Sequence, residues 1–317
     1  MTSLANFIQN KPDAEFPAEK GRYHLYVALP CPYACRAIMA INLKGLQDFI
    51  DVTVTHPTML RTRPDDENDT HKGWAFFDPK TTPFATGPNG EQLSTEGCTP
   101  DPIHGAKYVR DLYERVTKDP KVRFSVPLLW DKKKDTIVST ESADMVRMFN
   151  EAFEDLNPSN IDLYPADKRK EIDELNDWLN DSVFSVIFKA AFAPNDEARE
   201  AAIKDLYAGL DRVEDILSKK RYIAGNTFTE TDIRLFVVLI RFDFSFAKFF
   251  KFPKLIEEYP NTLNYLRDVY QLPGIKETVD WEHLKLNAVG SQFNRDNVVL
   301  ENPTVDYSAP HDRARFQ

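Results

Sequence analysis

The chain has 317 residues, 42% of them hydrophobic and 28% charged, and a formal net charge of -10. That length is a prior for two domains, and an acidic balance without a long basic run argues against nucleic acid or an anionic membrane as partner. No run approaches the ~20 apolar residues of a membrane span, and the opening residues, with Asn6, Gln9, Lys11 and Asp13, do not form a secretory signal. Three cysteines are too few for a stapled secreted scaffold, so a soluble, cytoplasmic protein with its cysteines as thiols is expected.

Tyr23 to Leu29 reads as a buried strand that runs into Cys31, Pro32 and an amphipathic helix to about Leu43. With a second strand at Asp51 to Thr55 it forms a βαβ unit. Proline suits the first helical turn, where its missing N–H has no partner to lose, and this puts Cys31 at the helix N-terminus. Unpaired amides and the positive end of the helix dipole favour an anion there, so the Cys31 thiolate is expected to form near neutral pH. The alternative is a buried structural cysteine. The polar stretch from His56 to about Pro102 is too long for an ordinary loop and reads as an insertion. A helix is predicted over 103–115, strands over 124–130 and 136–138 around a charged turn at 131–135, and a helix from Ser142 to about Phe153.

Past the Leu156-Asn-Pro-Ser-Asn160 linker the period is helical throughout. Ile172, Leu175, Leu179, Val183 and Val186 recur at spacings of three and four, as do Ile203, Leu206, Leu210, Val213 and Leu217, and both stripes read as core. Thr229 followed by Asp232 is a capping box, with Phe228 and Ile233 at the positions of a hydrophobic staple. The expected architecture is α/β plus all-α. Residues 1–155 form a thioredoxin-like domain with an insertion at about 56–102, residues 165–285 an all-helical domain, and 286–317 a C-terminal extension.

Six blocks carry a resemblance: Gly21 through Arg36, Gly73-Trp74, Val126-Pro-Leu-Leu-Trp-Asp131, Glu141 through Asn150, Glu171 through Trp178, and Thr231 through Phe236. In this order they resemble the Xi-class glutathione transferases, the glutathionyl-hydroquinone reductases, over about residues 21–285. The tail from Pro310 to Phe316 is also similar to the C-terminal end of that family. The resemblance implies glutathione as co-substrate, no metal, a homodimer, and a hydrophobic aromatic or quinone-like small molecule as the second partner. Trp74, Arg123, Val126, Glu141 and Ser142 are implied to bind the tripeptide.

Physical chemistry supports such roles. A cis proline after Val126 leaves the Val126 amide and carbonyl to pair with peptide, and Glu141-Ser142 opens a helix whose N–H groups suit a carboxylate. A plain N-cap and an edge-strand proline are the alternatives. Cys31 is the implied catalytic residue: its thiolate attacks the sulfur of a glutathionylated substrate, and a second glutathione resolves the mixed disulfide.

The sequence departs from the family in the substrate site. Phe188 stands where the family has a tyrosine, Asn287-Ala288-Val289 follow His283-Leu-Lys-Leu where tyrosines are usual, and Tyr33 replaces a tryptophan. Tyr33 and Phe188 are therefore assigned to a more apolar substrate site, with Phe184, Phe244 and Phe246 either lining it or forming core. Cys35 replaces a histidine one turn beyond Cys31 and reads either as a resolving thiol or, given the poor disulfide geometry of an i, i+4 pair, as a packing residue. Cys98 has no metal-ligand spacing to His71 or His104. The expected function is a cysteine-type glutathione transferase acting as a thiol reductase or lyase on glutathionylated or quinone-like compounds. Conjugation or isomerisation of an apolar electrophile, and glutathione-transferase-like binding without turnover, are its rivals.

Overall fold

A computed structural model describes residues 4–316 of the chain and divides it into two compact units. The first runs to Ile161 and takes up Glu277–Val299; the second comprises Asp162–Lys276 and the segment from Leu300 onward. This differs from the sequence division at 165, 285 and 286. The reason lies in α10 below, whose bonds are made to the first unit.

In the first unit β1 (Tyr23–Val27), α1 (Pro32–Leu43) and β2 (Ile50–Val54) form the βαβ element. Then come β3 (Leu60–Arg61), β4 (Lys72–Gly73), β5 (Phe84–Thr86), β6 (Gln92–Ser94), α2 (Val109–Val116), β7 (Leu128–Asp131), β8 (Thr136–Ser139) and α3 (Ser142–Glu151). The main sheet has the order β2-β1-β7-β8, with β1 parallel to β2 and antiparallel to β7. β1 is buried along its whole length, its one histidine, His24, bonding Thr53 Oγ1 at 2.8 Å. Burial is what makes such an apolar run a central strand. The open edge of β8 is covered by the N-terminal segment, with Asn6 N donating to Val138 O and Thr140 N to Leu4 O.

The insertion is ordered by two short ladders, β3 with β4 and β5 with β6. It is tied to α2 by ion pairs of Arg63 with Asp111 and Glu114 and of Arg110 with Asp69. The helix expected over 103–115 starts only at Val109. The Asp101 carboxylate accepts from the amides of Ile103, His104 and Ala106 and from Tyr26 Oη, which holds this stretch in a loop. Asp111 reaches back to the Tyr108 amide at 2.9 Å and starts the helix there.

The second unit contains α4 (Arg169–Leu179), α5 (Ser185–Ala191), α6 (Asp196–Lys219), α7 (Glu230–Leu239), α8 (Ala247–Phe250) and α9 (Pro260–Tyr270). π-helical turns at Asn180–Phe184 and Phe242–Phe246 precede α5 and α8. Leu206, Leu210, Val213 and Leu217 of the α6 stripe are buried, as are Ile172, Leu179, Val183 and Val186. The Thr229–Asp232 capping box is present, with Thr229 N donating to Asp232 Oδ2 at 2.9 Å; Phe228 packs edge-on against Tyr222. Burial pushes the Asp232 carboxyl up to about 6 against the donors around it. In the C-terminal segment the buried Arg313 donates to the carbonyls of Leu217, Lys220 and Arg221, closing the end of α6.

α10 (Trp281–Ala288) belongs to the first unit. Thr58 Oγ1 donates to Leu286 O at 2.6 Å, Asn287 Nδ2 to Pro57 O at 2.7 Å, and His283 Nε2 lies 2.9 Å from Glu96 O. These partners are about two hundred residues away in the chain, so no local pattern announces them. Among the described residues no helix is long and apolar enough to cross a membrane, and no group of three or more His, Cys, Asp or Glu is arranged to hold a metal ion.

Candidate active site

Strand register brings the candidate residues of the first unit to one end of the sheet. β1 pairs antiparallel with β7 from Tyr23 opposite Asp131 to Tyr26 opposite Leu128, so β1 ends where β7 begins. β8 runs back against β7 and ends at that same edge. Consequently the loop carrying Cys31, the approach to β7 with Arg123 and Val126, and the Glu141-Ser142 start of α3 converge. β2, parallel to β1, also ends there. His56 N then donates to Ala75 O at 2.8 Å, which brings in Trp74.

Cys31 is the N-cap of α1, in extended backbone with Pro32 at the helix start, and its carbonyl accepts the first helical bond from Cys35 N at 3.1 Å. Its side chain makes no capping bond; Sγ donates to Val126 O at 3.6 Å across the cis Val126-Pro127 peptide. In the thiol form Cys31 is thus one donor to the Val126 carbonyl. Sequence reasoning also missed Tyr113, whose hydroxyl donates to Ser125 O at 2.9 Å and fixes the residue before Val126. Burial raises that phenol to about 12, Ser125 opposing and Glu141 adding to the shift. A tyrosine on a helix face gives no local signal of such a partner.

Glu141 is the N-cap residue of α3, yet its carboxylate does not cap; its amide donates to Ser139 Oγ at 3.0 Å. The side chain is exposed while Ser142 is buried. Ser139 is the second residue the sequence reading missed, although Ser139-Thr-Glu-Ser142 is rich in capping types. Trp74 is buried, Arg123 exposed, and Tyr33 exposed beneath the Arg36 guanidinium, 4.7 Å from its ring centroid. Cys98 is buried, and burial with Asp280 nearby pushes its thiol up to about 12, far from nucleophilic use.

Phe188 lies in the second unit, half-buried, with its ring edge-on to Phe246 at 5.9 Å and Phe250 at 6.4 Å between centroids. Phe246 and Phe250 are stacked at 6.1 Å. Phe184 and Phe244, which the sequence offered as either lining or core, are buried and belong to the core.

A helix opening with Pro32 after the N-cap residue Cys31, a cis proline, and a four-stranded βαβ–ββα sheet followed by a helical unit make up the thioredoxin-like and helical domains of a glutathione transferase. The family profile for the glutathione S-transferase N-terminal domain matches residues 30–152, and that for the C-terminal domain matches residues 196–268. The glutathionyl-hydroquinone reductase YqjG of Escherichia coli is 40% identical over 301 residues, covering 94% of this chain and 84% of that protein. PcpF of Sphingobium chlorophenolicum, also a glutathionyl-hydroquinone reductase, is 32% identical over 88% of this chain and 81% of its own length. The glutathione-bound structure of YqjG superposes with a TM-score of 0.86 at 38% identity, covering 98% of this chain and 96% of that one. A Xi-class transferase from Natrialba magadii gives 0.86 at 35% identity, with 99% and 89% covered. The chain belongs to the Xi-class glutathione transferases, the glutathionyl-hydroquinone reductase family.

Proposed function

We propose that this protein is a glutathione-dependent reductase that removes glutathione from glutathionylated hydroquinone or quinone-like aromatic compounds, with Cys31 as nucleophile. The observation that carries the reading is Cys31 at the N-cap of α1, its Sγ facing Val126 at the edge where Glu141 and Ser142 open α3. The first-turn amides of α1 favour the thiolate, whereas the Val126 carbonyl favours the thiol. The carbonyl is a single neutral acceptor, whereas the helix N-terminus presents several unpaired amides to an anion, so the thiolate is assigned to the helix end.

In the cycle the Cys31 thiolate attacks the sulfur of the conjugate. The carbon–sulfur bond breaks, its electron pair and a proton go to the aromatic carbon, and a Cys31–glutathione disulfide forms. A glutathione thiolate then attacks that disulfide, giving glutathione disulfide and restoring Cys31, so the substrate is reduced as two glutathione sulfurs are oxidised. Glu141 is assigned to the γ-glutamyl amino group, Ser142 and the α3 amides to its carboxylate, Val126 N to the cysteinyl backbone, and Arg123 and Trp74 to the remaining peptide. Tyr33 and Phe188 are assigned to the hydrophobic aromatic substrate. We read the protein as a cytoplasmic homodimer needing glutathione and no metal. Sedimentation at the monomer mass at micromolar concentration would refute the dimer.

Intact mass after exposure to glutathione disulfide tests the central assignment. A single added glutathionyl group, absent in Cys31→Ser, is expected; an adduct that persists in Cys31→Ser would overturn it.

A further inference from the structure

Cys35 sits one turn beyond Cys31 on the inner face of α1 and is 1% exposed. Its Sγ lies 3.1 Å from Leu29 O and 3.5 Å from Thr278 O, so its single S–H is donated to the nearer Leu29 carbonyl and shared with the Thr278 carbonyl. Leu29 belongs to the short connection that carries Cys31, where Cys31 N also closes a turn onto Ala28 O at 3.0 Å. Thr278, in the first unit, ends the 3-10 turn Lys276–Thr278 just before α10. The Cys35 thiol thus ties the loop before the nucleophile to the segment that leads into α10.

We infer that Cys35 is a positioning residue for Cys31 through this shared S–H contact, chiefly to Leu29 O, and not a resolving cysteine; the inference rests on Cys31 being the nucleophile. A resolving thiol has to reach the disulfide sulfur, attack it, expel glutathione as thiolate and leave a Cys31–Cys35 disulfide. Cys35 is buried with its sulfur turned to two backbone carbonyls, and residues four apart on a helix are poorly disposed for a disulfide. Carbonyl acceptors stabilise the thiol over the thiolate, which also removes it from nucleophilic chemistry. The bond to Leu29 O instead limits how far the connection can swing, and with it where Sγ of Cys31 lies relative to the N-terminus of α1. A helix-end effect falls off within one turn, so a small displacement of that loop changes the thiolate fraction.

The test compares Cys35→Ala, which deletes the donor, with Cys35→Ser, which keeps a donor on a shorter arm. Readouts are the pH profile of Cys31 alkylation by iodoacetamide and kcat/KM with a glutathionylated aromatic substrate. Cys35→Ala is expected to move the alkylation midpoint upward and lower kcat/KM about threefold to tenfold at neutral pH, the range a helix-end interaction supports. Cys35→Ser is expected to restore most of both. Should Cys35→Ala not fold, Cys35→Val, which fills the volume without a donor, takes its place. An unchanged pH profile in the donor-less variant, or a serine variant as impaired as it is, overturns the inference. So does a Cys31–Cys35 disulfide in the wild type after glutathione disulfide treatment, seen by peptide mapping. Failure of the wild type to take any glutathione on Cys31 overturns the nucleophile assignment instead, and so separates the two.

Discussion

Replacement of Glu214 by alanine should destabilise the helical unit by removing the cap of α9 (Pro260–Tyr270). α9 begins at Pro260, and its N-cap Tyr259 makes no side-chain capping bond. Pro260 has no N–H, so the orphan amides of the first turn are those of Asn261 and Thr262. Glu214, 47 and 48 residues earlier on α6, supplies the cap. Oε1 accepts from Asn261 N at 2.9 Å and Nδ2 at 2.7 Å, and Oε2 from Thr262 N at 2.8 Å and Oγ1 at 2.7 Å. Loss of a helix cap costs about 0.5–2 kcal/mol, and loss of a negative charge at a helix N-terminus about 0.3–2 kcal/mol. Water replaces part of both at a half-buried site, so we expect about 2–3 kcal/mol for Glu214→Ala. Glu214→Gln keeps one acceptor oxygen and should lose about half of that.

Urea unfolding followed by far-UV circular dichroism measures the difference. Burial pushes the Glu214 carboxyl up, but the Asn261 and Thr262 donors together hold it below the ordinary 4.5. A depressed folded value means that the unfolded chain binds its proton first as pH falls. Glu214 therefore stabilises fully above about pH 4.5 and loses that contribution as pH drops through its folded value. The gap between wild type and Glu214→Ala should be full at pH 7 and shrink toward pH 3. Equal stabilities at pH 7, or a gap indifferent to pH, would refute the capping argument.

Gly209→Ala should destabilise although alanine is the better helix former. A Cβ there would stand 2.4 Å from the Ser182 carbonyl oxygen in the π-helical turn, so overpacking of about 1–3 kcal/mol should exceed the ~1 kcal/mol gained in propensity; a raised Tm would contradict this. Asp131→Ala leaves the buried Arg22, which holds that carboxylate through Nε and Nη2 at 3.0 and 2.6 Å, with only the part-exposed Glu19 at 3.6 Å as counter-charge, and should cost about 2–4 kcal/mol in a denaturant melt; a loss below 1 kcal/mol would mean Glu19 and water suffice for the guanidinium. Ser142→Ala should raise the KM for glutathione with little change in kcat, and a large fall in kcat at saturation would place Ser142 in the chemistry instead. Phe188→Tyr should improve turnover of a small glutathionyl-hydroquinone by about 100-fold, the lower end of the about 2.7–4 kcal/mol that one oxyanion-type donor contributes. An unchanged rate in steady-state assays would mean that another donor already fills that role.

Much of the scaffold was legible in the chain because its signals are short-range. Pro32 after an apolar run set the start of α1, the charged turn between two short apolar runs set the β7–β8 hairpin, and Thr229 with Asp232 set the start of α7. Each depends on residues within a few positions of one another, where steric and hydrogen-bonding rules act without the rest of the fold. The late start of α2 was hidden because Asp101 satisfies amides further along its loop and Tyr26 Oη from β1. The two π-helical turns left the three-four spacing of apolar residues intact, so periodicity passed over them. That Cys31, Val126 and Glu141 share one edge follows from strand register, which pairs residues about a hundred positions apart. Glu214 at α9, Arg313 at the end of α6, and α10 returning to Pro57 and Thr58 are contacts of the same kind. A side chain's type and neighbours in sequence state what it is able to donate or accept; only the folded chain decides which distant group meets it, because burial then requires every such group to find a partner.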